Sequence, residues 1–331
     1  MPQNLRRSIL ISAALGLAVV VALGLASDIR AVSRSLGGFA WGALPAVVGF
    51  TLLNYALRWL KWDYYLRVMG MDRGVGRWDS ALLFTSGMLM AVTPAKVGEV
   101  LKSALLKRIN GTPLSASAPI VLAERITDGL AMLVLMGSGL TLYAPARPAF
   151  ALLLALTAAG LLAVQSQPLV DRAAGWLGRL PLGARAVPRL MTAYVSTRRL
   201  LHWRILLPST VVSVISWFGE CVAFYFVLRG LGVEGDAARL LVVATFVFAA
   251  STLFGLVSFL PGGLGVSEAS STGLLVLLAP MAAGPATAAT IIIRFCTLWF
   301  GVSLGALALA AFGRRHRTAA VDEPAPGVVP R

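Results

Sequence analysis

The fold class this sequence predicts is an all-α polytopic membrane protein, with about six full spans and two broken, re-entrant helical hairpins. Three observations predict it. Of the 331 residues, 58% are hydrophobic and 13% charged, with mean hydropathy +0.81, far from the composition of soluble domains. Apolar runs long enough to cross a hydrocarbon core of roughly 30 Å recur along the chain. Two such runs are interrupted by residues that cannot continue a helix, at Pro94-Ala-Lys96-Val-Gly98-Glu99 and at Pro261-Gly262-Gly263-Leu-Gly265-Val-Ser-Glu268. Paired discontinuous helices, each followed by an acid, suggest a transporter plan in which the breaks meet near the bilayer midplane.

The elements follow in order. Arg6-Arg7 precedes an 18-residue apolar run, Ile9–Ala26, which reads as a first span. A cleaved signal peptide is the alternative, since Leu25-Ala26-Ser27 closes the run with small residues. Span 2 covers about Pro45–Leu66. The first broken element comprises Ala81–Val92, the break, and Val97–Leu106. Ala118–Leu142 and Ala149–Val164 are spans 4 and 5. The segment 165–204 sets Trp176, Val187, Leu190, Met191, Tyr194 and Leu201 among seven arginines. It reads as an amphipathic helix on an anionic leaflet, or as a solvated basic loop. Ile205–Leu228 is span 6, Leu240–Ala279 the second broken element, and Ala286–Phe312 the last span. The tail 313–331, basic and then proline-rich, is expected to be disordered. Residues 1–312 thus form one integral-membrane domain.

Charge fixes the expected orientation. If both broken elements return to the side they came from, 18 Lys and Arg residues fall on one side of the membrane and five on the other. The positive-inside rule then puts both termini in the cytoplasm of a bacterial inner membrane. The same clustering in loops explains the net charge of +15 without nucleic acid. Cys221 and Cys296 lie within apolar runs, without metal-ligand spacing, and read as small hydrophobes. No metal or cofactor is expected.

An internal repeat emerges from spacing. Trp41 and Trp203, and Arg67 and Arg229, lie 162 residues apart; Glu99 and Glu268, and Arg125 and Arg294, lie 169 apart. Copy one (about 41–143) starts outside and copy two (about 203–312) inside, so the copies are inverted.

Eleven ionisable residues fall within or near the spans: Arg58, Lys61, Lys96, Lys102, Arg125, Arg294, Glu99, Glu124, Asp128, Glu220 and Glu268. Leaving all of them in lipid would cost on the order of 30 kcal/mol, so they must pair or line a wet cavity. Arg58, Lys61 and Lys102 are near span ends, where snorkelling is an alternative. Glu124 and Asp128 share a helix face, four residues apart, and need a cation between them or a shared proton. Two readings stay open. One is an ion-pair network locking the repeats together. The other is an anion site of Lys96, Arg125 and Arg294, with acids that titrate during transport and half-helix N-termini suited to phosphate.

The set Arg58-Trp59, Pro94-x-x-x-Gly98-Glu99, Glu124-Arg125-x-x-Asp128 and Pro261-Gly262-Gly263-Leu264-Gly265-x-x-Glu268 resembles the membrane region of the lysylphosphatidylglycerol synthase family, over about residues 10–312. That family includes the flippase half of the multiple peptide resistance factor, and some stand-alone members are associated with hopanoid synthesis. The resemblance implies movement of a lipid headgroup between leaflets, with anionic, polyprenyl-phosphate or hopanoid-type lipids as partners. Ala95 departs from the glycine-rich turn expected at the first break. The soluble aminoacyl-transferase domain is absent from this chain, which argues against its making the lipid. The expected function is therefore a flippase-like transporter using Arg58, Lys96, Glu99, Glu124, Arg125, Asp128, Glu220, Glu268 and Arg294. The competing expectations are a membrane-embedded lipid-modifying transferase and a scaffold for a lipid-synthesis enzyme. No nucleophile–base–orienter set is readable, with His202 and His316 at the cytoplasmic edge.

Overall fold

The computed structural model describes residues 29–92, 100–179, 183–279 and 281–318. The expected first span, Ile9–Ala26, and the first break with Pro94, Lys96, Gly98 and Glu99 lie outside these residues, as do 319–331.

The described chain is helical throughout. A short amphipathic helix α1 (Ile29–Gly37) and a turn at Trp41–Ala43 lead into α2 (Leu44–Val68), where Pro45 sits in the first turn and needs no donor. α2 is about 37 Å long at 1.5 Å per residue, enough to cross a bilayer. α3 (Arg77–Met88) tightens into a single 3₁₀ turn, Leu89–Val92. α4 (Leu101–Asn110) ends at Gly111, whose φ of 76° closes the helix in the left-handed region. There follow α5 (Leu114–Gly137), α6 (Arg147–Gln165), α7 (Gln167–Gly178), α8 (Gly183–Leu200) and α9 (Trp203–Gly230). The last third holds α10 (Ala237–Val257), α11 (Val266–Leu278) and α12 (Ala283–Arg294). A π-helical turn, Phe295–Trp299, joins α12 to α13 (Phe300–Thr318).

Five of the described helices are long and apolar enough to span a membrane: those covering Trp41–Val68, Ala144–Gln165, Trp203–Gly230, Ala237–Val257 and Ala283–His316. This set differs from the expected one in two places. α5 is 24 residues long but carries Glu124, Arg125 and Asp128, so composition alone does not qualify it. α10, the incoming limb of the second broken element, is itself 21 residues, whereas its return limb α11 has 13. The hairpin is therefore asymmetric, because its break falls at the end of a full-length helix. The final helix also runs past Phe312. Residues 313–318 are helical rather than disordered, with Arg315 and His316 meeting Asp79 of α3 at 3.0 and 3.4 Å.

Both hairpins return to the end they started from. Asn110, at the end of α4, donates to the carbonyls of Met71 and Arg73, just before α3 begins. Gly284, in the first turn of α12 just after α11, packs against Ala31 of α1, and the Ala40 N–H just after α1 donates to the Gly230 carbonyl at the end of α9, shortly before α10 begins. The α10–α11 turn reaches the end of the 3₁₀ turn that follows α3. A methyl group placed on Gly262 would sit 3.6 Å from Val92 and 3.4 Å from Leu298.

α2 and α9 form the central pair, packed antiparallel along their length. Thr51 bonds Glu220, Asn54 bonds Ser216, and Lys61 bonds Ser213, so numbers rise on one helix as they fall on the other. α6 buries no residue, as expected of a helix facing lipid on most sides. α7 and α8 leave Leu169, Trp176, Leu190 and Val195 exposed, the pattern of helices lying on an interface.

Candidate functional site

Polar groups inside long apolar helices are tolerated only where they are paired or wetted, and here they converge where the α2–α9 crossing meets the α10–α11 turn. The site is a cavity of about 130 Å³, many times the roughly 10–15 Å³ one buried water needs on the same measure. α2 contributes Asn54, Tyr55 and Arg58, which recur on one face one turn apart. α9 contributes Trp217 and Glu220, and α12 contributes Arg294. Phe259 and Leu260 stand at its rim, 70% and 44% exposed. Phe259 also has φ 55°, a conformation a non-glycine residue adopts only when its surroundings impose it.

The sequence of the turn explains its shape. Gly262, Gly263 and Gly265 have φ of 61°, 67° and 87°, which side chains other than glycine rarely adopt. Gly255 and Gly263 let the limbs touch: a methyl group on Gly255 would lie 2.0 Å from Ser267 Oγ. Glu268 then locks the turn. One carboxylate oxygen accepts the Gly265 N–H at 2.7 Å and the other accepts Arg294 Nε at 2.5 Å, while Arg294 also donates to the Gly262 carbonyl at 2.7 Å. Opposite it, the Tyr55 hydroxyl donates to the Thr297 carbonyl within the π turn. Such turns leave carbonyls that side chains can reach, and they occur often at functional sites.

Arg58 joins the cavity to a second, drier network. Its guanidinium lies 3.6 Å from Asp128 and 5.1 Å from the Trp217 ring centroid. Asp128 also pairs with Lys61 at 2.7 Å and Arg125 at 3.1 Å, and accepts the Ser213 hydroxyl at 3.1 Å. Beside it Lys102 pairs with Glu124 at 2.5 Å, its ammonium 4.7 Å from the Trp62 ring centroid. Lys61 and Lys102 are each 2% exposed, so they do not snorkel. Their serine, threonine and aromatic partners come from other helices and are invisible in the local sequence.

Of the site residues expected from sequence, Arg58, Glu220 and Arg294 line the cavity together, and Glu268 holds Arg294 in place. Glu124, Arg125 and Asp128 belong to the adjacent network, and Arg125 is not among the residues lining the cavity. Lys96 and Glu99 lie outside the described residues, with the break residues Pro94 and Gly98. Pro261, Gly262, Gly263 and Gly265 build the second turn. Sequence reasoning missed Asn54, Tyr55 and Trp217. The recurrence of Asn54, Tyr55 and Arg58 on one face of an apolar span is the signal that would have found the first two.

Comparison with known proteins places this architecture. Residues 9–305 match the family model described as the lysylphosphatidylglycerol synthase TM region. A UPF0104 membrane protein of Methanothermobacter thermautotrophicus is 26% identical over 319 residues, an overlap of 88% of each chain. A second UPF0104 membrane protein of that organism is 25% identical over 301 residues, 82% of this chain and 85% of its own.

Proposed function

The chain belongs to the lysylphosphatidylglycerol synthase TM-region family, and from that premise we propose that this multi-pass membrane protein moves an anionic, phosphate-bearing lipid between the leaflets of the cytoplasmic membrane. The observation that carries the reading is the cavity, where Arg58 and Arg294 face a common space whose rim is the apolar pair Phe259–Leu260. A headgroup phosphate would lie between the two guanidinium groups, and its acyl chains would stay outside against apolar side chains. Among the described residues, the cavity and the ion-pair network beside it gather Arg58, Lys61, Lys102, Arg125 and Arg294 with Glu124, Asp128, Glu220 and Glu268, five cations to four acids, an excess of one positive charge that an anion would offset. This is a carrier rather than an enzyme: it binds and releases, with no bond made.

The inverted repeat belongs to the same proposal. Asn54 and Ser216 are separated by 162 residues, the repeat spacing, and they bond to each other where α2 and α9 cross. At that spacing Thr51 corresponds to Ser213, Tyr55 to Trp217, and Arg58 to Glu220. A two-fold axis through the 54–216 contact brings these related positions to one site, as alternating access requires.

The test is reconstitution into vesicles with labelled phosphatidylglycerol and a membrane-impermeant quencher. Wild-type protein is expected to move the label well above the rate of empty vesicles. Arg58→Gln and Arg294→Gln are expected to lower it by about tenfold or more, since each removes a charge-assisted bond of about 1.5–3 kcal/mol. Variants as fast as wild type would remove these residues from the site.

A further inference from the structure

We infer that Glu220 carries a coupling proton, taken up when an anionic headgroup occupies the cavity and released when it leaves. The inference rests on the transport reading above and adds an energy source to it.

The two acids at the cavity are held differently. Glu268 has both carboxylate oxygens satisfied, by Arg294 and by the Gly265 N–H. Glu220 is 1% exposed, and among the described residues no lysine or arginine pairs with it; its hydrogen bond comes from the Thr51 hydroxyl at 3.2 Å. Arg58 lines the same cavity and its charge acts on Glu220, but its ion pair is with Asp128. A carboxylate withdrawn from water without a counter-ion is costly, and a proton removes that cost.

A second observation points the same way. Asn54 lines the same cavity, 1% exposed. Its amide orientation is fixed, because Nδ2 donates to the Ser216 carbonyl and hydroxyl at 2.9 Å. That leaves Oδ1 buried with no donor. Asn54 is one helical turn from Thr51, the residue that touches Glu220. A protonated carboxyl group gains a donor that a carboxylate lacks, and Asn54 Oδ1 is an unpartnered acceptor on the wall of the same cavity.

The surroundings do not offer another acid for this role. α2 presents Tyr55 and Arg58 to the cavity, α12 presents Arg294, the π turn contributes Cys296, and α9 itself carries Cys221. α10 contributes Phe248, Ser251 and Thr252, none of them charged. When a phosphate settles between Arg58 and Arg294, its negative charge opposes a carboxylate at Glu220. With Glu220 protonated, the positive excess of the described cavity and its adjoining ion-pair network rises from one to two. Headgroup and proton therefore favour each other, and the coupling is reciprocal.

The experiment uses vesicles of phosphatidylcholine and phosphatidylglycerol with pyranine trapped inside and labelled phosphatidylglycerol as probe. Wild-type protein is expected to move the probe roughly tenfold faster at about pH 6 than at about pH 8, with at most tenfold per pH unit for one proton. Pyranine should report proton movement in step with the lipid. Glu220→Gln should flatten the profile, the two rates agreeing within about twofold. A wild-type rate that ignores pH, or one that follows sodium at fixed pH, overturns the proton while leaving lipid transport standing. Protein that moves the probe no faster than empty vesicles at any pH removes the transport reading and this inference with it. If Glu220→Gln does not reconstitute, the wild-type pyranine trace decides: no proton movement during lipid movement overturns the proposal.

Discussion

Lys102 holds an ammonium group where water does not reach it. Its stem packs against Gly87, where a methyl group would lie 2.5 Å from Lys102 Cγ, and its charge is balanced by Glu124 and the faces of Trp62 and Phe84. A buried pair of this kind is expensive to break and cheap to replace whole, because removing one partner strands the other. Lys102→Met alone is expected to cost about 3–5 kcal/mol, and Lys102→Met combined with Glu124→Leu to regain most of it. Thermal denaturation in detergent measures both, and a double variant no more stable than the single would contradict the pairing. This scale was only partly legible in the sequence. Charge in an apolar span announces a site, so Arg58, Glu220, Glu268 and Arg294 stood out. Which charges share a cavity and which share a dry network depends on neighbours from other helices. Glu124 and Asp128 look like a coupled pair one turn apart, yet Lys102 neutralises one and Lys61, Arg125 and Arg58 the other.

The second hairpin shows what a few glycines decide. Gly255 on α10 lies against Ser267 and Gly263, so a larger residue there must push the limbs apart. Gly255→Val is expected to destabilise the protein by at least the roughly 1–3 kcal/mol typical of overpacking and to abolish transport, because the tip positions Arg294 through the Gly262 carbonyl. Gly273 on α11 is the matched control. A methyl group there meets nothing within 4 Å, so Gly273→Ala should be neutral or gain up to about 1 kcal/mol. Melting curves of the two variants side by side are the check, and equal effects would mean that the limb contact is unimportant. At this scale the sequence was informative wherever backbone chemistry is local. Proline and glycine placed the break at 261–265, and apolar length placed α2, α6 and α9. The π turn at 295–299 has no such signature; the side chain that meets its Thr297 carbonyl, Tyr55, comes from α2, far away in the chain. α1 was missed because a nine-residue amphipathic helix is short beside the spans.

Across the whole molecule, the expected cytoplasmic segments gather at one end. Asn110 ties the 107–117 loop to Met71 and Arg73, Gln165 donates to the Leu201 carbonyl at 2.9 Å, and Arg315 with His316 meets Asp79. These bonds, with Leu200 and Leu201 packed among Leu66, Leu106 and Phe312, put the segments on one side; that this side is cytoplasmic is our proposal, from the excess of lysine and arginine there. Single cysteines separate the two statements. The native Cys221 and Cys296 are buried and can stay, because a charged maleimide does not reach them. Asp72→Cys, Asp171→Cys and Glu234→Cys each place a thiol at an exposed position. In intact cells the impermeant reagent should label Glu234→Cys alone, and in inverted vesicles Asp72→Cys and Asp171→Cys. The reverse pattern would leave the fold intact and defeat the charge argument. Opposite labelling of Asp72→Cys and Asp171→Cys would be more damaging, since α2, α9 and both hairpins could not then be arranged with their tips meeting between the two ends.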